Sequence, residues 1–226
     1  GRILYEKNAN EQRLIASITK IMTATVAIEN EDLNKEITIG EEVLKMYGSN
    51  IYVELGEKMT LKNLLYGLLL RSGNDAAVVI ANNVAKDEET FVEMMNKKAK
   101  ELGMKNTIFR NSHGLDEETK NYSSAKDMAI LSSYANTLPV YKEISKTKKW
   151  TVQSDKKSYV WNNRNKLLYS YKYATGGKTG YTPKAGRTLV TTASKDSLNL
   201  TIVTLNDANE YQTHESLYEY CFNKYK

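Results

Sequence analysis

One cysteine, Cys221, and two histidines, His113 and His214, are all that this 226-residue chain offers in thiol and imidazole chemistry. No disulfide can close within it, and a structural zinc site is left without its usual ligands. Neither a metal nor an organic cofactor is expected, and Cys221 reads as core. Apolar runs are also short: none approaches the roughly 20 residues that a membrane-spanning helix needs. No signal-peptide pattern is present. Zinc-knuckle, RNP-like and basic-zipper patterns are absent too, so no nucleic-acid partner is expected. The net charge of +5 is spread over lysine-rich segments and reads as a solvated surface.

What is present is ordinary globular material, with 41% apolar and 26% charged residues. That length and composition suit one α/β domain, or two lobes around a single core, with a cleft between them. Arg2 to Lys7 reads as a strand. The opening Gly1 to Glu6 resembles the second half of a strand-turn-strand unit, so the chain is expected to be a piece of a longer protein. A helix is expected from near Ser17 to about Asn30, and Ile37–Ile39 and Ile51–Val53 read as small strands. Leu61 to Leu70 and Asn74 to Val84 read as buried helices, and Glu88 to Leu102 as an amphipathic one stopped by Gly103. Another helix spans about Ser124 to Asn136. From Lys149 the texture turns to strands, at 150–153, 159–162, 188–193 and 198–205, closed by a helix over about 211–225.

This order predicts an α+β fold: an antiparallel sheet flanked by helices, collecting strands from both ends of the chain, with an all-helical lobe inserted. The sheet lobe is expected over about 1–30 and 147–226 and the helical lobe over about 31–146. The seam between them is the natural place for a cleft.

Ser-x-x-Lys occurs four times, starting at Ser17, Ser123, Ser145 and Ser154. Only the first opens an apolar helix, where three-residue spacing stacks Ser17 and Lys20 on one face. An adjacent neutral lysine is one way to activate a serine hydroxyl. Two further motifs follow, Ser72-Gly73-Asn74 between the two buried helices and Lys178-Thr179-Gly180 in the glycine-rich run 176–180. Three glycines in five residues allow another backbone to approach closely.

Ser-x-x-Lys, Ser-x-Asn and Lys-Thr-Gly in this order resemble the set of the penicillin-binding proteins and β-lactamases. With Ser-Gly-Asn in the middle, the chain resembles the D-alanyl-D-alanine carboxypeptidases, the low-molecular-mass serine DD-peptidases with a β-lactamase/transpeptidase-like fold. Residues 3–10, 16–23, 70–77, 113–116 and 185–187 carry the likeness beyond the three motifs.

The resemblance implies that Ser17 attacks the carbonyl of the penultimate D-alanine of a peptidoglycan stem peptide. An acyl-enzyme forms, terminal D-alanine leaves, and β-lactams acylate the same serine. Lys20 is implied as general base. It must then be neutral, a shift of about three units from its usual 10.4, or roughly 4 kcal/mol, for which burial and the Lys178 charge supply the direction. Ser72 is implied to relay the proton to the leaving amine, and Asn74 to hold Lys20 and a substrate amide. Lys178 and Thr179, on an edge strand with Gly180, would face the terminal carboxylate, helped by Arg164. The backbone N–H groups of Ser17 and Tyr181 would form the oxyanion hole, and His113 belongs to a structural loop rather than to a catalytic triad.

A monomer at the outer face of the bacterial cytoplasmic membrane is implied, with a further C-terminal domain and membrane anchor outside this chain. A class A-like β-lactamase is the rival enzyme reading, but no Glu-x-x-Leu-Asn loop lies between Ser72 and Lys178. A non-catalytic β-lactam-sensing or wall-binding module is the rival from another class.

Overall fold

A helix apolar on every side has to sit inside a bundle, and the helix behind Ser17 does so. In a computed structural model, which describes residues 1–225, the short strand β1 (Arg13–Leu14) leads through a 3₁₀ turn (Ala16–Thr19) into α1 (Lys20–Asn30). Lys20 to Ala27 of α1 are all buried. Packed around it are α2 (Leu61–Arg71), α3 (Asn74–Val84), α4 (Glu88–Glu101), α5 (Ala125–Ala135) and α6 (Pro139–Lys146).

Local chemistry sets the ends of these helices. The Thr60, Asp87 and Ser124 side chains cap α2, α4 and α5 by accepting the N–H of Asn63, Thr90 and Asp127. Glu88 and Glu89 in the first turn of α4, with Lys98 and Lys100 in its last, complement the helix dipole.

Short ribbons decorate the helices. β2 (Glu36–Thr38) pairs antiparallel with β3 (Lys58–Thr60), and β4 (Tyr122–Ser123) with β1. The lobe expected to be all-helical therefore carries ribbons of its own. β5 (Lys149–Gln153) and β6 (Ser158–Asn162) form a separate hairpin that packs on α2, where Trp150 stacks on Tyr66 with ring centroids 3.8 Å apart.

After the single turn α7 (Leu167–Ser170) comes the main sheet, β7 (Ala174–Thr182), β8 (Gly186–Lys195) and β9 (Leu198–Leu205), in the order β7-β8-β9 and antiparallel throughout. Thr188 to Ala193 of the central strand are buried, and β7 is an edge strand. The last helix, α8 (Glu210–Lys224), places His214, Tyr218 and Phe222 at i, i+4 and i+8, one buried stripe that covers β8 and β9. The helical body lies against the same sheet through α5 and α6.

Two strand expectations and the sheet built on one of them are corrected. Arg2 to Lys7 pairs with no described strand, and Ile3 and Tyr5 are 52% and 56% exposed. A stretch of strand-forming residues makes a strand only when a neighbouring backbone satisfies its N–H and C=O groups. The three-stranded sheet therefore takes all its strands from the C-terminal part of the chain. Ile51–Val53 is no strand either: Tyr52 has φ +63°, outside the strand region, and the Asp75 carboxylate accepts the N–H of Ile51 (2.9 Å) and of Tyr52 (2.7 Å).

Candidate active site

Ala16, immediately before Ser17, has φ +51°, a left-handed conformation that costs an alanine about 1 kcal/mol or more. Ser72 has φ +63° where α2 ends and α3 is about to begin. Strain of this kind persists only where the surroundings enforce it, and here it turns two hydroxyl-bearing residues toward two lysines. Lys20 Nζ lies 2.9 Å from Ser17 Oγ, and Lys178 Nζ lies 3.0 Å from Ser72 Oγ. Both lysines are buried, at 0% and 2% exposure.

The surroundings of Lys20 define its chemistry. Besides Ser17 Oγ, its amine meets Asn74 Oδ1 at 2.8 Å and the His113 carbonyl at 2.6 Å. The Asn74 amide cannot turn its nitrogen inward, because Nδ2 donates to the Tyr47 carbonyl at 2.8 Å. Both contacts are thus pure acceptors. A neutral amine has two hydrogens and one lone pair. With the hydrogens spent on Asn74 Oδ1 and His113 O, the lone pair faces the Ser17 hydroxyl.

The electrostatics favour that neutral form. Burial holds the Lys20 amine well below its usual range, and the Lys178 and Arg164 charges push the same way, against a smaller opposing pull from Asp75. Lys178 is itself brought down to about 7, by burial first and by Arg164 second.

The wall opposite Ser17 is held by Asp75, the residue after the Ser-Gly-Asn motif. Its buried carboxylate takes the N–H groups of Ile51, Tyr52 and Ala76, and burial raises its pKa. This fixes the 46–53 segment, which supplies the Tyr47 carbonyl to Asn74 and Ser49 Oγ to Arg164 Nη1 at 2.8 Å. Arg164 lies beyond the end of β6 on the rim, with its N–H on the Leu70 carbonyl at 3.2 Å.

Close backbone packing grips the Ser17 turn from two sides. A Cβ at Gly180 would fall 2.4 Å from Thr188 Oγ1 and 2.9 Å from Ser17 N, so only glycine lets β7 pass this close to the Ser17 turn. On the other side Gly114 has φ +98°, and a Cβ added to it would clash with the Ala16 carbonyl oxygen at 2.1 Å. Thr179 and Tyr181 flank Gly180 on the edge strand, and the Tyr181 ring is 62% exposed.

The structure thus brings Ser17, Lys20, Ser72, Asn74 and Lys178 together, with Thr179, Gly180 and Tyr181 on the adjoining strand and Arg164 at the rim. Three contributors escape a motif search: the carbonyls of Tyr47 and His113, which have no side-chain identity, and the Asp75 clamp. Gly114 was the one readable signal for the second carbonyl. The His113 imidazole points elsewhere. Its Nδ1 accepts the Leu115 N–H at 3.1 Å, and burial followed by the Lys20 charge depresses its pKa to about 3.

Comparison with known proteins gives the family and the fold. Residues 1–209 match the family described as D-alanyl-D-alanine carboxypeptidase (Peptidase_S11). The whole chain is 38% identical to 60% of the D-alanyl-D-alanine carboxypeptidase DacF of Bacillus subtilis, and 91% of it is 34% identical to 53% of DacC of Escherichia coli. The chain therefore spans little more than half the length of these relatives.

Among solved structures, a D-alanyl-D-alanine carboxypeptidase from Mycobacterium tuberculosis H37Rv superposes with TM-score 0.94 at 30% identity, covering 99% of this chain and 87% of that one. The Streptomyces K15 DD-transpeptidase gives TM-score 0.82 at 33% identity over 89% of this chain and 84% of its own. The hydroxyl-lysine pairs, the Lys-Thr-Gly edge strand and the shared fold lead to one assignment: the chain belongs to the D-alanyl-D-alanine carboxypeptidase family of serine peptidases.

Proposed function

We propose that the chain is the catalytic unit of a serine D-Ala-D-Ala carboxypeptidase that removes the terminal D-alanine from peptidoglycan stem peptides. The observation that carries this reading is the Lys20 amine, fully buried, 2.9 Å from Ser17 Oγ and otherwise in contact with carbonyl acceptors alone.

The substrate lies along the β7 edge as an added strand, its terminal carboxylate toward Lys178, Thr179 and Arg164. Lys20 takes the Ser17 proton as Oγ attacks the penultimate carbonyl, whose developing oxyanion meets the Ser17 and Tyr181 N–H groups. The proton then passes through Ser72 to the departing D-alanine nitrogen, leaving an ester on Ser17 that water hydrolyses. A β-lactam follows the same first step, but its opened ring stays attached. Asp75, the carboxylate beside the motif, is occupied by three backbone N–H groups, which supports slow hydrolysis of that adduct. The substrate places the work on the outer side of the bacterial cytoplasmic membrane.

The test is to incubate the protein with an acyl-Lys-D-Ala-D-Ala peptide and with a fluorescent penicillin. Free D-alanine and a long-lived adduct on the Ser17 peptide are expected; rapid turnover of the drug, or no D-alanine, would refute the reading.

The lysine pair makes a prediction about pH. In Lys178→Gln a like charge is removed from beside protonated Lys20, so the Lys20 pKa rises toward its ordinary value. The acid limb of the penicillin acylation rate, which requires neutral Lys20, should move to higher pH. The alkaline limb that native Lys178 sets near 7 should vanish. Loss of a charge-assisted bond to the carboxylate should also slow acylation by about 10- to 100-fold. An acid limb that stays in place would contradict the coupling.

A further inference from the structure

A carbonyl can aim at Lys20 only if something fixes its peptide plane, and the His113 imidazole does not hold that plane. We propose that Asn111, which touches none of the reacting groups, is a positioning residue whose buried amide sets the direction of the His113 carbonyl toward Lys20. The inference rests on the acyl-transfer reading above.

The geometry follows from peptide planarity. In a trans peptide the C=O and N–H point in opposite directions. The His113 carbonyl shares its peptide with the Gly114 N–H, and that N–H donates to Asn111 Oδ1 at 2.7 Å. With one end of the plane on Asn111, the other end reaches Lys20 Nζ at 2.6 Å.

Asn111 is itself held on every polar atom. It is 2% exposed; Oδ1 also accepts from Asn121 Nδ2 at 3.0 Å and from His113 N at 3.3 Å. Its Nδ2 donates to the Leu115 carbonyl at 2.9 Å and to Thr119 Oγ1 at 2.8 Å. The same network reaches the catalytic helix, because Asn121 Nδ2 also lies 3.0 Å from Thr19 Oγ1, on the residue before Lys20. Asn111 therefore ties the loop and the start of α1 into one frame. Gly114 completes it, since its missing Cβ lets the loop press against the Ala16 carbonyl.

The experiment compares native protein, Asn111→Ala and Thr119→Val. Thr119 is exposed, so its substitution loosens Asn111 without opening the core. The readouts are the second-order rate of fluorescent penicillin acylation per active site from acid to alkaline pH, and the melting temperature. In Asn111→Ala the plateau rate should fall by about 100-fold, the scale of a small misplacement of a reacting group. Its acid limb should move to lower pH, because losing a carbonyl acceptor disfavours the protonated amine. Thr119→Val should change both in the same direction by a smaller factor. Lys178 on β7, Arg164 beyond β6, Asp75 on α3 and the His113 ring are unchanged in both variants, so the limb reports the carbonyl.

A role confined to stability would lower the melting temperature while the limb stays in place, and that result overturns the proposal. So do native rates and limbs in both variants. If Asn111→Ala does not fold, the limb of Thr119→Val decides. Absence of labelling in the native protein would instead refute the acyl-transfer reading.

Discussion

Replacing Ser17 by alanine is expected to abolish covalent labelling by a fluorescent penicillin and to lower D-alanine release by at least about 10⁴-fold, as removal of a serine nucleophile does elsewhere. The hydroxyl has no understudy. Ser72 Oγ is the second serine hydroxyl of the site paired with a lysine amine, but its partner Lys178 also donates to the Thr179 carbonyl at 2.6 Å and sits on β7, the strand proposed to receive the substrate carboxylate. The substitution removes one exposed-side oxygen and leaves the Lys20 contacts to Asn74 and His113 in place. The variant should therefore fold and still bind the drug without reacting. Labelling of Ser17→Ala at the native rate would show that another residue is acylated.

The second large effect is expected from Lys20→Met. General-base catalysis contributes about 10²- to 10⁴-fold, and a thioether of similar length cannot accept the serine proton. Acylation should fall to that extent at every pH. Stability should respond differently. Folded Lys20 has a depressed pKa, so between that pKa and about 10.4 the unfolded chain binds a proton that the folded chain does not. Over that window native stability rises with pH. Lys20→Met removes this contribution, so its stability relative to native should be most favourable at the lower end of the window and lessen toward pH 10. Two carbonyls lose a donor, at a cost of about 1–3 kcal/mol each, which offsets part of the gain. Denaturant unfolding at several pH values measures the slope; an unchanged slope would mean that Lys20 is charged in the folded protein.

The grouping of the candidate site was legible in its motifs because each nominates a side chain: Ser17 and Lys20 one helical turn apart, and Lys178 in a glycine-rich run, which the structure brings together with Ser72 and Asn74. The helices were legible too, since α1, α2 and α3 are dense apolar runs, α4 carries an apolar stripe and α5 opens on its Ser124 cap. Pattern was less informative where tertiary contacts decide the outcome. Arg2 to Lys7 has the apolar and aromatic centre of a strand, yet finds no ladder among the described residues. Ile51–Val53 is β-branched and aromatic, yet a buried carboxylate sets its backbone. β7 was placed by resemblance rather than by period, because glycines 176, 177 and 180 dilute the alternation. α6 has Pro139 in its first turn as its one sequence signal, since its charged residues hide the apolar side. The Tyr47 carbonyl was beyond reach, because any residue could supply it, and the His113 carbonyl had only the neighbouring Gly114 to mark its loop.

The double grip on the Ser17 turn has a kinetic side. The Lys20–His113 and Thr188–Ile15 contacts close loops of 93 and 173 residues, and long loops are entropically expensive to close and slow to find. The helices around α1 can form from nearer neighbours, but the setting of Ser17 exists only once both distant segments have docked. On the proposed function, a penicillin label on Ser17 is therefore expected to report molecules in which both distant segments have docked, rather than collapsed ones.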